Sequence, residues 1–174
     1  MLGIYMLVLR FIHVVASVGW AGGALIYFVF VSPTAKALAP TGMQFVEYMV
    51  TKRRFSIFMA ISSTLTVLSG ALLIWQVSGG ELLNYAQTSR GLGFTLGSIA
   101  GIVVYFVGMF GVKPRAERLA KISHEIKLSG GLPTPSQGAE LHKLDKEMSV
   151  LDLADFLLVA LSLSLMASAR YWVF

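Results

Sequence analysis

Apolar residues run through this chain in four long blocks, at about 11–31, 55–77, 91–112 and 150–170, separated by stretches where charge and turn residues collect. Each block has the roughly 20 residues a helix needs to cross the hydrocarbon of a bilayer. Backbone groups in lipid find no outside partner, so all four blocks are predicted helices and the fold class is all-α, an integral membrane four-helix bundle. The first block is expected to stop at Ser32-Pro33. Thr41-Gly-Met-Gln44 then has the form of a capping box, opening a helix that runs through Lys52-Arg53-Arg54 into the second span. Beyond the third block, Pro114 to Leu128 sets Leu119, Ile122 and Ile126 on one helical stripe, a Gly- and Pro-rich segment interrupts it, and the pattern resumes helically into the fourth span. Spans three and four therefore extend as a short cytoplasmic helical hairpin. With no internal repeat, no low-complexity tract and no signal-peptide cleavage pattern, residues 1–174 read as a single four-span transmembrane domain that keeps its first span.

Composition agrees with this pattern: 56% of the 174 residues are hydrophobic and 13% are charged, far from the balance of a domain with a surface in water. The absence of cysteine excludes disulfides, thiol chemistry and Cys-ligated metal centres within the chain. Four Lys/Arg lie between spans one and two, seven between spans three and four, and only Arg90 between spans two and three. Positive charge gathers on the cytoplasmic side, which predicts an inner-membrane protein with both termini facing the periplasm. The net charge of +5 is then explained by orientation and anionic lipid, and nucleic acid is not an expected partner.

Helices in lipid associate through small residues and interhelical hydrogen bonds. Gly93, Gly97 and Gly101 repeat at four-residue spacing on span three. They suit close packing within the bundle, or less readily a homo-oligomer interface. Ser62, Thr66 and Ser69 on span two, with Ser162 and Ser164 on span four, are expected to hydrogen-bond across helices or to their own preceding turn.

The candidate chemistry lies in span one. Arg10, His13, Ser17 and Trp20 share one helical face, which cannot point cheaply at lipid. Arg10 is expected at the outer interface, with His13 one turn below it. Arg90 opens span three and Arg170 closes span four, bringing three arginines to the leaflet of His13. A neutral imidazole can ligate haem iron between helices while guanidinium groups at the water boundary pair with the propionates. Ser17 and Trp20 would line that cofactor pocket, and small residues at 19 and 21–23 would leave room for a macrocycle. The plainer alternative has His13 hydrogen-bonded to a span-two hydroxyl, Trp20 in the packing core and the arginines reaching for water. A sixth iron ligand could come from Met59, Met109 or Met166; Met59 is expected near the inner side, and Met166 is the best placed of the three.

The segment "HVVASVGWAGGALIYF" resembles the first-helix pattern of the copper-resistance protein D family, and is similar to that of the four-helix bacterial protoporphyrinogen oxidase family. The closing "LMASARYWVF" looks like the end of such small membrane proteins. The likeness covers about 20 residues and this ending. It implies haem b with His13 as an axial ligand. Span three lacks the lysine of the oxidase pattern and no second intramembrane histidine exists, so oxidase activity does not carry over. The expected function is a membrane haem-b-binding redox or electron-transfer component. The alternatives are copper handling, or a non-catalytic accessory subunit of a respiratory or photosynthetic complex; a quinone is a further possible partner. Whether the protein is an enzyme is left open, as are any catalytic residues. Asp152 and Asp155 are expected to stabilise the start of span four, with Asp155 also placed for proton uptake or a quinone. His124 and His142, on opposite arms of the hairpin, are read as solvated rather than as a metal pair.

Overall fold

In the computed structural model, which describes residues 2–39 and 41–174, every regular element is helical, and four helical stretches are long and apolar enough to cross a membrane. Helix α1 spans Leu2–Ile26, α2 Ser32–Ala37, α3 Thr41–Thr51, α4 Phe55–Val77, α5 Leu82–Ala86, α6 Ser89–Phe106, α7 Lys113–Leu128 and α8 Pro135–Ser168, followed by a short 3₁₀ turn. Around the bundle the long helices follow the order α1, α4, α6, α8. The closest packing is between α1 and α4 and between α6 and α8. The chain is thus two helical hairpins laid side by side. Their outward faces carry large apolar side chains, among them Phe11, Val18, Leu68 and Leu157.

The first helix does not stop at Ser32-Pro33. A π-helical turn, Tyr27–Val31, carries it into α2, and a second π turn, Val107–Val112, joins α6 to α7 just before Pro114. Proline lacks an N–H and crowds the carbonyl four residues back, and a widened turn accommodates both defects without ending the helix. The same device thus carries the first helix of each hairpin past a proline, a correspondence that no sequence repeat announces. At its other end α1 begins at Leu2, because a single arginine in an apolar run does not break a helix.

The expected helix through residues 52–54 is interrupted. Arg54 takes a left-handed backbone (φ 53°), costing about 1 kcal/mol, and turns the chain so that α3 folds onto α7 while α4 enters the bundle. A capping box is present, but at Thr134 and Gln137 where α8 starts; Thr41 and Gln44 form none among the described hydrogen bonds. Thr134→Ala should cost about 1 kcal/mol. Hydrogen exchange would register this as faster exchange in the first turn of α8, with the spans unaffected.

The helical hairpin of α7 and the first half of α8 forms as expected. Ile122 is fully buried on it, with Leu119 and Ile126 half-buried on the same stripe. Arg118 donates two hydrogen bonds to Glu140, at 2.7 and 2.9 Å, and Arg115 one to Glu147 at 2.7 Å. These hydrogen bonds hold both carboxyls below the usual glutamate range. Helix α3 and its loop complete the layer; Lys36 bridges from α2 to Asp145 at 2.8 Å. This layer is called the arm side below, and the opposite end, where α5 and both termini lie, the terminal side.

Candidate functional site

Small residues let α1 and α4 approach closely: Gly19 lies against Phe58 and Ser62, and Gly23 against Met59. The same approach brings His13 against Gly70 of α4. His13 Nδ1 lies 2.9 Å from the carbonyl of Thr66 and 3.2 Å from Ser69 Oγ. A carbonyl can only accept, so Nδ1 carries the proton and donates, which leaves Nε2 as the nitrogen with a free lone pair. Nε2 makes no hydrogen bond to any described residue, and no fully enclosed side-chain nitrogen lacks a partner, so Nε2 is open.

The space it meets consists of two adjoining cavities of about 150 and 400 Å³ that share His13, Gly70, Ile74, Ser98 and Met166 in their walls. Ser17 and Trp20 line the smaller one. Ser17 donates to the His13 carbonyl at 2.6 Å, and Trp20 is buried with Val104 and Val159 in the bundle core. The larger cavity opens on the terminal side and is rimmed by Arg10, Arg90 and Arg170. None of the three forms an ion pair among the described residues; Arg170 stacks on Tyr171 at 4.8 Å. Tyr85 stands beside them, its phenol pushed up by burial against the opposing influence of Arg90, and so remains a hydrogen-bond donor at neutral pH.

All the span-one candidates therefore converge with Arg90, Arg170 and Met166, but one placement differs. His13 stands opposite Thr66, the midpoint of α4, about 16 Å from either end of that helix, and not a single turn below an interface. Because α1 starts at Leu2, Arg10 is two turns inside the helix and reaches into the cavity mouth from there. Met59 and Met109 line a separate cavity toward the arm side, and only Met166 shares walls with His13.

The other polar and small residues singled out in the sequence divide between expected and unexpected partners. The glycine stripe of α6 is covered within the chain. Gly93 lies against Ala169, Gly97 against Met166, and Gly101 near Ser162, whose hydroxyl donates to the Gly97 carbonyl at 2.8 Å. A second copy could reach this stripe only by displacing α8. The hydroxyls of Ser63, Thr66 and Ser164 close onto their own preceding turns. His124 bonds Glu47 at 3.0 Å rather than pairing with His142, and among the described residues no group of three or more His, Cys, Asp or Glu is placed to hold a metal ion. Asp152 and Asp155 lie in the middle of a 34-residue helix, so stabilisation of a helix start does not account for them.

Pockets of about 300–1,000 Å³ accommodate cofactors and drug-sized ligands, and the joined space reaches this class. Its charged or metal-ligating groups are one imidazole lone pair midway along the bundle and three guanidinium groups at the mouth, with Tyr85 beside the arginines and the wall between largely apolar apart from a few hydroxyls such as Ser17 and Ser98. That pattern suits a flat, largely apolar ligand with a Lewis-acidic centre and an anionic edge. No protein-family model matches the chain, and neither a curated protein nor a solved structure does.

Proposed function

We propose that the protein is a four-span inner-membrane protein, with both termini toward the periplasm, that binds haem b and serves as a redox or electron-transfer component. The observation carrying this reading is the open Nε2 of His13, its tautomer set by the Thr66 carbonyl, in a cavity whose mouth holds three arginines with no acid of their own. Ligating histidines commonly donate their second ring N–H to a backbone carbonyl in this way, which fixes the ring and raises its basicity. Guanidinium groups at the water boundary would pair with propionates. All seven lysines lie on the arm side, which supports placing that side in the cytoplasm.

Haem b would supply one-electron chemistry. This chain's residues would hold it: His13 and Met166 as the groups able to ligate iron, Arg10, Arg90 and Arg170 for the carboxylates, and Ser17 and Trp20 lining the pocket. Gently purified protein should give a b-type reduced-minus-oxidised spectrum and a pyridine haemochrome. A colourless preparation, obtained where a control haem protein keeps its colour, would remove the reading and leave an accessory subunit as the better account. Changing any one of the three arginines to glutamine should leave the colour but weaken haem retention up to about fivefold, since exposed ion pairs contribute about 1 kcal/mol or less. Unchanged retention in a triple variant would show that the ligand's anionic edge is not there.

A further inference from the structure

A third cavity, of about 90 Å³, lies between the π turns on the arm side. The first turn contributes Tyr27 and Phe28, the second Gly108 and Met109, and α8 presents Asp152 and Asp155 to the same space. Asp152 is only 8% exposed, and neither carboxylate makes a hydrogen bond or ion pair with a described residue. No wholly enclosed side-chain oxygen in the described structure lacks a partner, so each unpartnered carboxylate keeps an accessible face, and both residues stand in the cavity wall. Asp155 Oδ1 faces Gly108, where a β-carbon would approach it to 3.6 Å. Ionisable groups at such depth are costly to keep charged and unpartnered, and they mark proton or ion pathways. The volume admits about half a dozen waters and no large organic ligand.

We propose that this cavity is a proton-exchange site open to the arm side, in which water passes Asp152 and reaches Asp155 one helical turn deeper. The proton comes from hydronium or a buffer acid in the arm-side water and converts the Asp155 carboxylate to a neutral carboxyl; release reverses the step. Other ionisable groups face the pair from neighbouring elements. Tyr27 at the end of the first helix, Tyr105 of α6 and Lys113 at the head of α7 share the cavity wall. Lys36 of α2 and Asp145 of α8 act on Asp152 through their charges. Helix α4 contributes no ionisable group, and Glu47 of α3 is engaged with His124. Toward the terminal side the cavity is closed by Trp20, the one residue its wall shares with the smaller His13 cavity. The site is independent of haem.

The test uses full-length protein in vesicles whose orientation is read from protease access to the loop between α7 and α8. Dicyclohexylcarbodiimide couples to protonated carboxyls in apolar surroundings, and peptide mapping by mass spectrometry locates the adduct. Labelling is expected at Asp155, falling about tenfold per pH unit on the alkaline side of its titration. It should be absent in Asp155→Asn and retained in Asp155→Glu. A water-soluble, impermeant carbodiimide should reach the site from the arm side alone. Absence of labelling at every pH, labelling independent of pH, or equal access from both sides would each overturn the proposal. Size-exclusion profiles of both variants separate loss of the site from loss of the fold.

Discussion

A His13→Ala variant is expected to purify without haem while keeping its helical content and its elution position. The side chain supplies the one imidazole near the arginine-rimmed cavity, and no other described histidine can substitute, since His124, held by Glu47, and His142 both belong to the arm layer. The structural loss is small. The Nδ1–H donor disappears from the Thr66 carbonyl, but that carbonyl still receives the Ser69 hydroxyl at 3.2 Å, so about 1 kcal/mol of stability is at stake. His13→Gly provides the sharper form of the experiment. It opens space beside Gly70, and imidazole added to the buffer should restore the b-type spectrum through the same cavity. Haem retained in full by both variants would show that iron, if present, is held elsewhere. Loss without rescue, accompanied by aggregation, would mean that His13 is a packing residue.

The second large effect concerns how closely α6 and α8 approach. A β-carbon at Gly93 would stand 2.7 Å from Ala169 Cβ and 3.0 Å from its Cα, and Ala169 is completely buried. A rigid neighbour of this kind cannot turn aside, so even Gly93→Ala should cost about 1–3 kcal/mol, and Gly93→Leu more. Thermal unfolding in detergent would measure this. Gly22, on α1, supplies the control: nothing lies within 4 Å of its β-carbon position, so Gly22→Ala should be neutral or stabilising by up to about 1 kcal/mol. Equal effects at the two glycines would mean that α6 and α8 are not in direct contact at Gly93. Because Arg170 follows Ala169 directly, Gly93 variants that remain folded should also weaken ligand retention at the cavity mouth.

Much of this architecture is legible in the sequence. Four apolar blocks declare four helices, because a run of about 20 apolar residues has few other stable forms. The polar face of the first span, at spacings of three and four, identified His13, Ser17 and Trp20 as inward residues, and the distribution of arginine put three guanidinium groups at one end. These features are local, carried by composition and helical period.

Tertiary packing decided the rest. Whether a proline ends a helix depends on whether the next segment has a surface to pack on, and here α2 and α7 do, so a π turn replaces the stop expected at Ser32-Pro33 and another carries the expected extension past Pro114. The helix through 52–54 breaks in keeping with the same rule, since α3 packs chiefly on α7 and hardly on α4. The depth of His13 follows from its pairing with Thr66, a relation between residues 53 apart that no periodicity encodes. Asp152 and Asp155 look like helix-start residues in sequence because the helix they belong to begins 17 residues before Asp152, in polar sequence. Only the folded chain shows that both open into a cavity between the π turns. Helical period and hydropathy determine which residues face inward; which inward residues meet depends on the axial offset of one helix against another, and that is set by glycine contacts and interhelical hydrogen bonds spread over the whole bundle.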